Sequence, residues 1–188
     1  MSWQYSTAIS WEGDRAVAAR STRQQLIRAG ALESHAVAVQ AIAFDKTEKT
    51  NWKVTWHQDV MFPFAEPVCT AGHDLPTKKD GVDYARPPRT VLEHMLAVRL
   101  HLDDCDETNG PLRVSPGTHR AGILKRAEIA AMVGRHGAVA CVARVGDALL
   151  MRPLLLHASS LAREPKHRRV LHIVYSGTPI AEKWHREI

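Results

Sequence analysis

Cysteine is scarce in this chain of 188 residues: there are three, Cys69, Cys105 and Cys141, and no two stand in a C-x-x-C spacing. An odd number so spaced excludes a disulfide framework and a cysteine zinc site, and predicts reduced thiols in a cytosolic protein. Long apolar runs are also missing, and none approaches the length needed to cross a bilayer. The N-terminus, Met1-Ser2-Trp3-Gln4-Tyr5, lacks the basic stretch and apolar core of a secretory signal, so a soluble cytoplasmic protein with no membrane partner is expected. Internal repeats and low-complexity tracts are absent. Concentrated basic charge is nearly so. The formal net charge is +5, but the 25 Lys and Arg are dispersed, and the longest basic cluster is only Lys166-His167-Arg168-Arg169. That dispersal argues against a nucleic-acid partner and leaves a mild attraction for acidic small molecules.

What is present suits one domain spanning residues 1 to 188, since 45% hydrophobic residues over this length can bury a substantial core. Residues 14 to 36 carry a helical pattern, with Ala16, Val17, Ala19, Leu26, Ile27 and Ala29 on one stripe, and Gly30 interrupts or caps it. Residues 36 to 44 read as a buried strand, and residues 45 to 51 as a polar connection. From 62 to 88, prolines at 63, 67, 76, 87 and 88 and glycines at 72 and 81 predict a long loop of the kind that forms lids or binding segments. Further strands are expected at 96 to 102, 112 to 119, 139 to 143, 148 to 151, 154 to 157 and 168 to 175, with a short helix at 126 to 133. The acidic stretch at 103 to 106 reads as a turn, because its spacing does not match a calcium loop. Strands separated by turns, with few helices, predict a mostly β antiparallel sandwich or jelly roll with flanking helices.

Three stretches offer metal-ligand chemistry. In Val54-Thr55-Trp56-His57-Gln58-Asp59, strand alternation turns His57 and Asp59 to the same side of a sheet. An imidazole and a carboxylate make two-thirds of the two-His-one-carboxylate facial triad that holds non-haem Fe(II) and leaves positions open. A second pair of the same form, His101-Leu102-Asp103, is equally available on spacing alone. A third imidazole, His157, ends an apolar stretch, and after a polar loop Arg168 and Arg169 open the next strand.

These blocks resemble the phytanoyl-CoA dioxygenase family of Fe(II)/2-oxoglutarate-dependent oxygenases, in particular its short bacterial members. The resemblance runs in order over about residues 44 to 175: Phe44-Asp45-Lys46-Thr47, Asn51-Trp52, Trp56-His57-Gln58-Asp59, Leu100-His101-Leu102-Asp103-Asp104-Cys105-Asp106, Asn109-Gly110-Pro111-Leu112-Arg113-Val114, Pro116-Gly117-Thr118-His119, Gly146-Asp147-Ala148-Leu149-Leu150-Met151, His157-Ala158-Ser159 and His167-Arg168-Arg169. It implies a double-stranded β-helix with iron near the barrel mouth, held by His57, Asp59 and His157 and not by the 101/103 pair. It implies Arg168 as the cation that receives the far carboxylate of 2-oxoglutarate, with Ser159 adding a hydroxyl and Lys46 a second cation. Arg suits that task because its planar fork binds a carboxylate bidentately and keeps its charge when buried. The expected cofactors are Fe(II) and 2-oxoglutarate. The expected reaction consumes dioxygen and hydroxylates a C–H bond of a small molecule, releasing succinate and CO2, and Asp59 favours hydroxylation over halogenation. Two other readings remain on the sequence: a non-catalytic jelly roll of the same ancestry, and a cupin-like metal protein that works without 2-oxoglutarate.

Overall fold

The computed structural model describes residues 12 to 185. Two four-stranded antiparallel sheets face one another. The larger has the order β1 (Val37–Lys46), β11 (Arg168–Ser176), β6 (Leu96–His101), β9 (Ala148–Met151). The smaller has the order β2 (Val54–His57), β10 (His157–Ser159), β7 (Leu112–Val114), β8 (Val139–Cys141). A third sheet is made by β3 (Phe62–Phe64), β5 (Val82–Arg86) and β4 (Asp74–Lys79). Apart from the β7–β8 pair and the inserted third sheet, successive strands are thus dealt alternately between the two larger sheets, which is the double-stranded β-helix.

Alternation along β11 divides the core in two. Val174 faces the interior between the sheets, with Phe62, Leu92, Met95, Leu112, Met151 and Leu154 among its neighbours. Leu171, Ile173 and Tyr175 face outward and are covered by α1 (Glu12–Arg28) through Ala19 and Leu26. The phenol of Tyr175 donates to the carbonyl of Ala19 at 2.8 Å, so its hydroxyl is satisfied within that apolar layer. Arg168, Val170 and His172 share the inward parity of Val174.

The first helix is shorter than the expected 14 to 36. It ends because Gly30, at φ 68°, closes a Schellman motif in which the N–H of Gly30 donates to Ile27 O at 3.0 Å and that of Ala31 to Leu26 O at 2.9 Å. Val17, expected on the apolar stripe, is 59% exposed. The strand at 36 to 44 is present and runs on through Asp45 and Lys46, which the polar composition had assigned to the connection. The expected strand at 154 to 157 is instead a turn whose Leu154 and Leu156 are buried, and the strand begins at His157.

The largest departure from expectation is at 62 to 88, where a three-stranded sheet stands in place of a loop. Asp80 and Gly81 both have positive φ, 49° and 81°, and join β4 to β5 as a two-residue hairpin with Lys79 paired to Val82. That is the primed turn that suits strand twist. Phe62 and Phe64 of β3 are buried, and Phe64 stacks on Trp184 with ring centroids 4.9 Å apart. Among the described residues, no helix is long and apolar enough to cross a membrane.

Candidate functional site

His57 and His157 are direct cross-strand partners on β2 and β10, with ring centroids 4.2 Å apart. Asp59 lies two residues beyond the end of β2, where its N–H is fixed by Pro153 O at 2.9 Å. One carboxylate oxygen is 3.5 Å from His57 Nε2 and the other 3.5 Å from His157 Nε2. Ligand atoms of the three residues fall within 4.8 Å of one another. Each imidazole is oriented alike: Nδ1 of His57 lies 2.8 Å from Thr55 O, and Nδ1 of His157 lies 2.9 Å from Leu155 O. A backbone carbonyl can only accept, so each Nδ1 donates to it and Nε2 is the ring nitrogen turned toward the carboxylate. This is the outer-shell arrangement of metal-binding histidines.

Between the two, Gln58 points the other way and pins the strand end. Its amide donates to Gly122 O at 2.8 Å and Leu154 O at 2.7 Å and accepts from the N–H of Leu124 at 2.9 Å. The electrostatics follow the geometry. Burial works to raise the Asp59 pKa, but the neighbouring His157, His57 and His172 outweigh it and hold the carboxyl well below the usual range. Burial drives His157 down to about 4 despite Asp59. For His57, the hydrogen bond and charge of Asp59 overcome burial and the pKa rises. The carboxylate is therefore ionised and His157 neutral near pH 7, as a metal site requires.

A second cluster adjoins it. Lys46 and Arg168 are Cα partners across β1 and β11, both turned inward and buried. Lys46 Nζ donates to Ser160 O at 2.5 Å and reaches Ser159 Oγ at 3.4 Å. Burial, then the neighbouring Arg168, brings its pKa down to about 7. Arg168 donates from Nη1 to Gly110 O at 2.6 Å and lies near the Cys105 thiol, while its buried Nε has no hydrogen-bond partner. Gly110 has φ 62°, and a Cβ there would come within 3.0 Å of Ser160 O and 3.2 Å of Lys46 Nζ, so only glycine lets this loop close on the two cations. Two like charges directly opposite on a buried face repel. The arrangement suits an acid laid between them.

The 101/103 pair diverges. His101 turns into the barrel with both ring nitrogens unpartnered, while Asp103 lies outside and takes a forked pair of bonds from Arg169, 2.7 Å from Nη2 and 2.9 Å from Nε. Alternation therefore sends Arg168 to the interior and Arg169 to the surface. Two inward residues were missed. His172 on β11 lies with Nε2 3.7 Å from Asp59, and Arg99 on β6 lies with Nη1 3.5 Å from His172 Nδ1. Counting by twos from Arg168 along the strand would have found His172. Both line a cavity of 490 Å³, together with the triad, Lys46's neighbours Ser159 and Arg168, and Thr77, Lys79 and Tyr84 of the three-stranded sheet.

A double-stranded β-helix with a His-Asp-His cluster at one end and an inward Arg behind it defines the class of facial-triad jelly rolls. Within that class, the family model described as phytanoyl-CoA dioxygenase matches residues 13–170, and the chain belongs to this family. No curated protein matches. Among solved structures, the chain is similar to EctD from S. alaskensis in its apoform, with 23% identity, a TM-score of 0.54, and coverage of 76% of this chain and 45% of that one. It is also similar to AviO1 from Streptomyces viridochromogenes Tue57, with 21% identity, a TM-score of 0.62, and coverage of 93% and 66%. A third is the nickel complex of ThoJ, described as a non-heme monooxygenase, with 20% identity, a TM-score of 0.57, and coverage of 89% and 54%. The chain thus spans between about half and two-thirds of the length of these structures, which it resembles in fold.

Proposed function

We propose that the chain is an Fe(II)/2-oxoglutarate-dependent dioxygenase that hydroxylates a C–H bond of a small molecule. His57, Asp59 and His157 would hold the iron, and Arg168, Ser159 and Lys46 the far carboxylate of 2-oxoglutarate. EctD has been solved with bound Fe, and with 2-oxoglutarate and 5-hydroxyectoine, which supports both cofactors for this fold. The observation that carries the reading is the pairing of the triad with two buried, inward cations that, among the described residues, form no ion pair with a carboxylate. A metal-binding jelly roll that works without a diacid would leave Lys46 and Arg168 facing one another with nothing between them, a costly burial.

The residues fit both groups. Two Nε2 lone pairs and a carboxylate on one side of an ion leave the opposite positions open. Arg168 offers a buried N–H that lacks an acceptor, and Ser159 and Lys46 stand beside it. When bound together, iron and 2-oxoglutarate supply the oxidation: dioxygen gives one oxygen atom to succinate, formed with loss of CO2, and the other to the hydroxylated carbon. The chain's own part is orientation. Thr55 and Leu155 hold the ring tautomers, Gln58 holds the strand end, and the apolar walls at Ile42, Phe44 and Leu112 limit water. The substrate's identity would be read by the three-stranded sheet, whose Thr77, Lys79 and Tyr84 face the same cavity.

Anaerobic addition of Fe(II) and 2-oxoglutarate tests this directly. A visible charge-transfer band is expected, along with succinate release in air that Asp59→Ala abolishes. A protein that binds iron but gives no band with 2-oxoglutarate would refute the reading.

A further inference from the structure

Arg99 is the charge in the cavity that the chemistry above does not use. It sits on β6 opposite His172, is 7% exposed, and lies with its guanidinium carbon 5.5 Å from the centre of the Phe44 ring. Its Nη1 is 3.5 Å from His172 Nδ1, and its Nε is buried without a hydrogen-bond partner. Among the described residues, no carboxylate is ion-paired with it. The one carboxylate whose charge it feels, Asp59, already faces three imidazoles. Burial and the nearby Arg168 lower its pKa to about 10, so it stays charged at neutral pH.

Charge balance in the loaded site sharpens the question. Iron(II) and doubly ionised 2-oxoglutarate cancel. Asp59 offsets one of the three buried cations Lys46, Arg99 and Arg168, so positive charge remains in a confined space, and an uncompensated buried charge is expensive. Arg168 and Lys46 are engaged by the cosubstrate on this reading, which leaves Arg99.

We propose that Arg99 anchors an anionic group of the organic substrate, so that the substrate is a carboxylic acid whose carboxylate lies against the guanidinium beside His172. The planar fork suits a carboxylate, and the edge that carries Nε is the one His172 leaves unused. The anchor stands on a different strand from the cosubstrate's, on β6, with His172 between it and Asp59. This inference rests on the oxygenase reading.

The test uses the full chain loaded anaerobically with Fe(II) and 2-oxoglutarate. The charge-transfer band is measured first, because its absence in the wild type refutes the oxygenase reading and this inference with it. With the band in place, a series of monocarboxylates (propanoate to octanoate, benzoate, phenylacetate) and their primary amides is titrated by calorimetry and by perturbation of the band. At least one acid is expected to bind, with its amide weaker by about 30-fold or more, the factor that goes with stranding one partner of a buried charge pair. Arg99→Gln is expected to bring the acid down to the level of the amide while leaving 2-oxoglutarate affinity within about threefold. Arg99→Lys, which keeps the charge but loses the fork, should fall between and serves where the glutamine variant does not fold. If acids show no preference over amides in the wild type, or if Arg99→Gln weakens 2-oxoglutarate as much as Arg168→Ala does, the proposal is wrong.

Discussion

Two backbone carbonyls, Thr55 O and Leu155 O, each two residues before a site histidine, decide which ring nitrogen is free to bind. Such details set the expected effects of single substitutions. Arg168→Ala should weaken 2-oxoglutarate binding by about 2–5 kcal/mol, read from the charge-transfer titration, because it strands one end of a buried diacid. Unchanged affinity would remove Arg168 from the site. Gln58→Ala touches no ligand, yet it removes three hydrogen bonds that tie the end of β2 to Gly122, Leu154 and Leu124. It should cost roughly 1–3 kcal/mol of stability in denaturant and weaken metal binding, while apolar packing nearby is untouched. A Gln58 variant with wild-type metal affinity would show that Asp59 is held by its own backbone alone. The convergence of 57, 59 and 157 was legible because strand alternation is local, and because the resemblance chose between two equivalent H-x-D pairs. His172 was within reach of alternation from Arg168, whereas Arg99 escaped because nothing in its immediate sequence marks a strand's inner face as a site rather than a core.

At the scale of elements, one extra residue in β1 aims the site. Ala38 pairs with Tyr175 and Gln40 with Val174, so Val39 is bulged out of register. Before it, Val37 and Val39 belong to the interior; after it, Gln40, Ile42 and Phe44 line the cavity and Lys46 meets Arg168. Without the bulge, alternation would turn Lys46 to the outside. No residue pattern announces it, since Ala36 to Phe44 is apolar but for Gln40. The segment 62 to 88 was misread for a different reason. Its prolines weigh against strands, but Pro63 sits on β3, which pairs with β5 alone in its sheet, and Pro76 sits in the irregular stretch between Asp74 and Thr77. The Asp80-Gly81 dipeptide was the available signal, and the density of proline masked it. Gly81→Val, forcing a branched side chain to φ 81°, should cost about 1–3 kcal/mol locally. Faster hydrogen exchange in β4 and β5 with an unchanged 2-oxoglutarate band is the expected pair of results; equal protection would mean the turn tolerates strain.

For the molecule as a whole, buried histidines govern the response to acid. Burial, with Arg99 and Arg168 nearby, holds His101 down to about 4, against 6.5 for the free side chain. Between those values the unfolded chain takes up a proton that the folded chain refuses, so stability present above pH 6.5 is lost progressively as the pH falls toward 4. In the metal-free protein, His101→Leu should remove roughly 2–3 kcal/mol of that loss, seen as a shallower fall of the urea midpoint between pH 7 and 4.5. An unaltered slope would mean that His101 protonates without hindrance. The mostly β, antiparallel character was legible in the run of short strands separated by turns, with few helices; the hand-over from sheet to sheet was implied by the resemblance.

His57 and His157 are neighbours in space but on the order of a hundred residues apart along the chain, and β2 is joined to β10 by an interrupted ladder with only two paired positions. An ion gripped from both sides of that seam would act as a rivet, closing a long loop much as a covalent crosslink does. Chelation should then loosen the barrel mouth as well as silence it, and melting temperature should climb with ferrous concentration even when no cosubstrate is supplied.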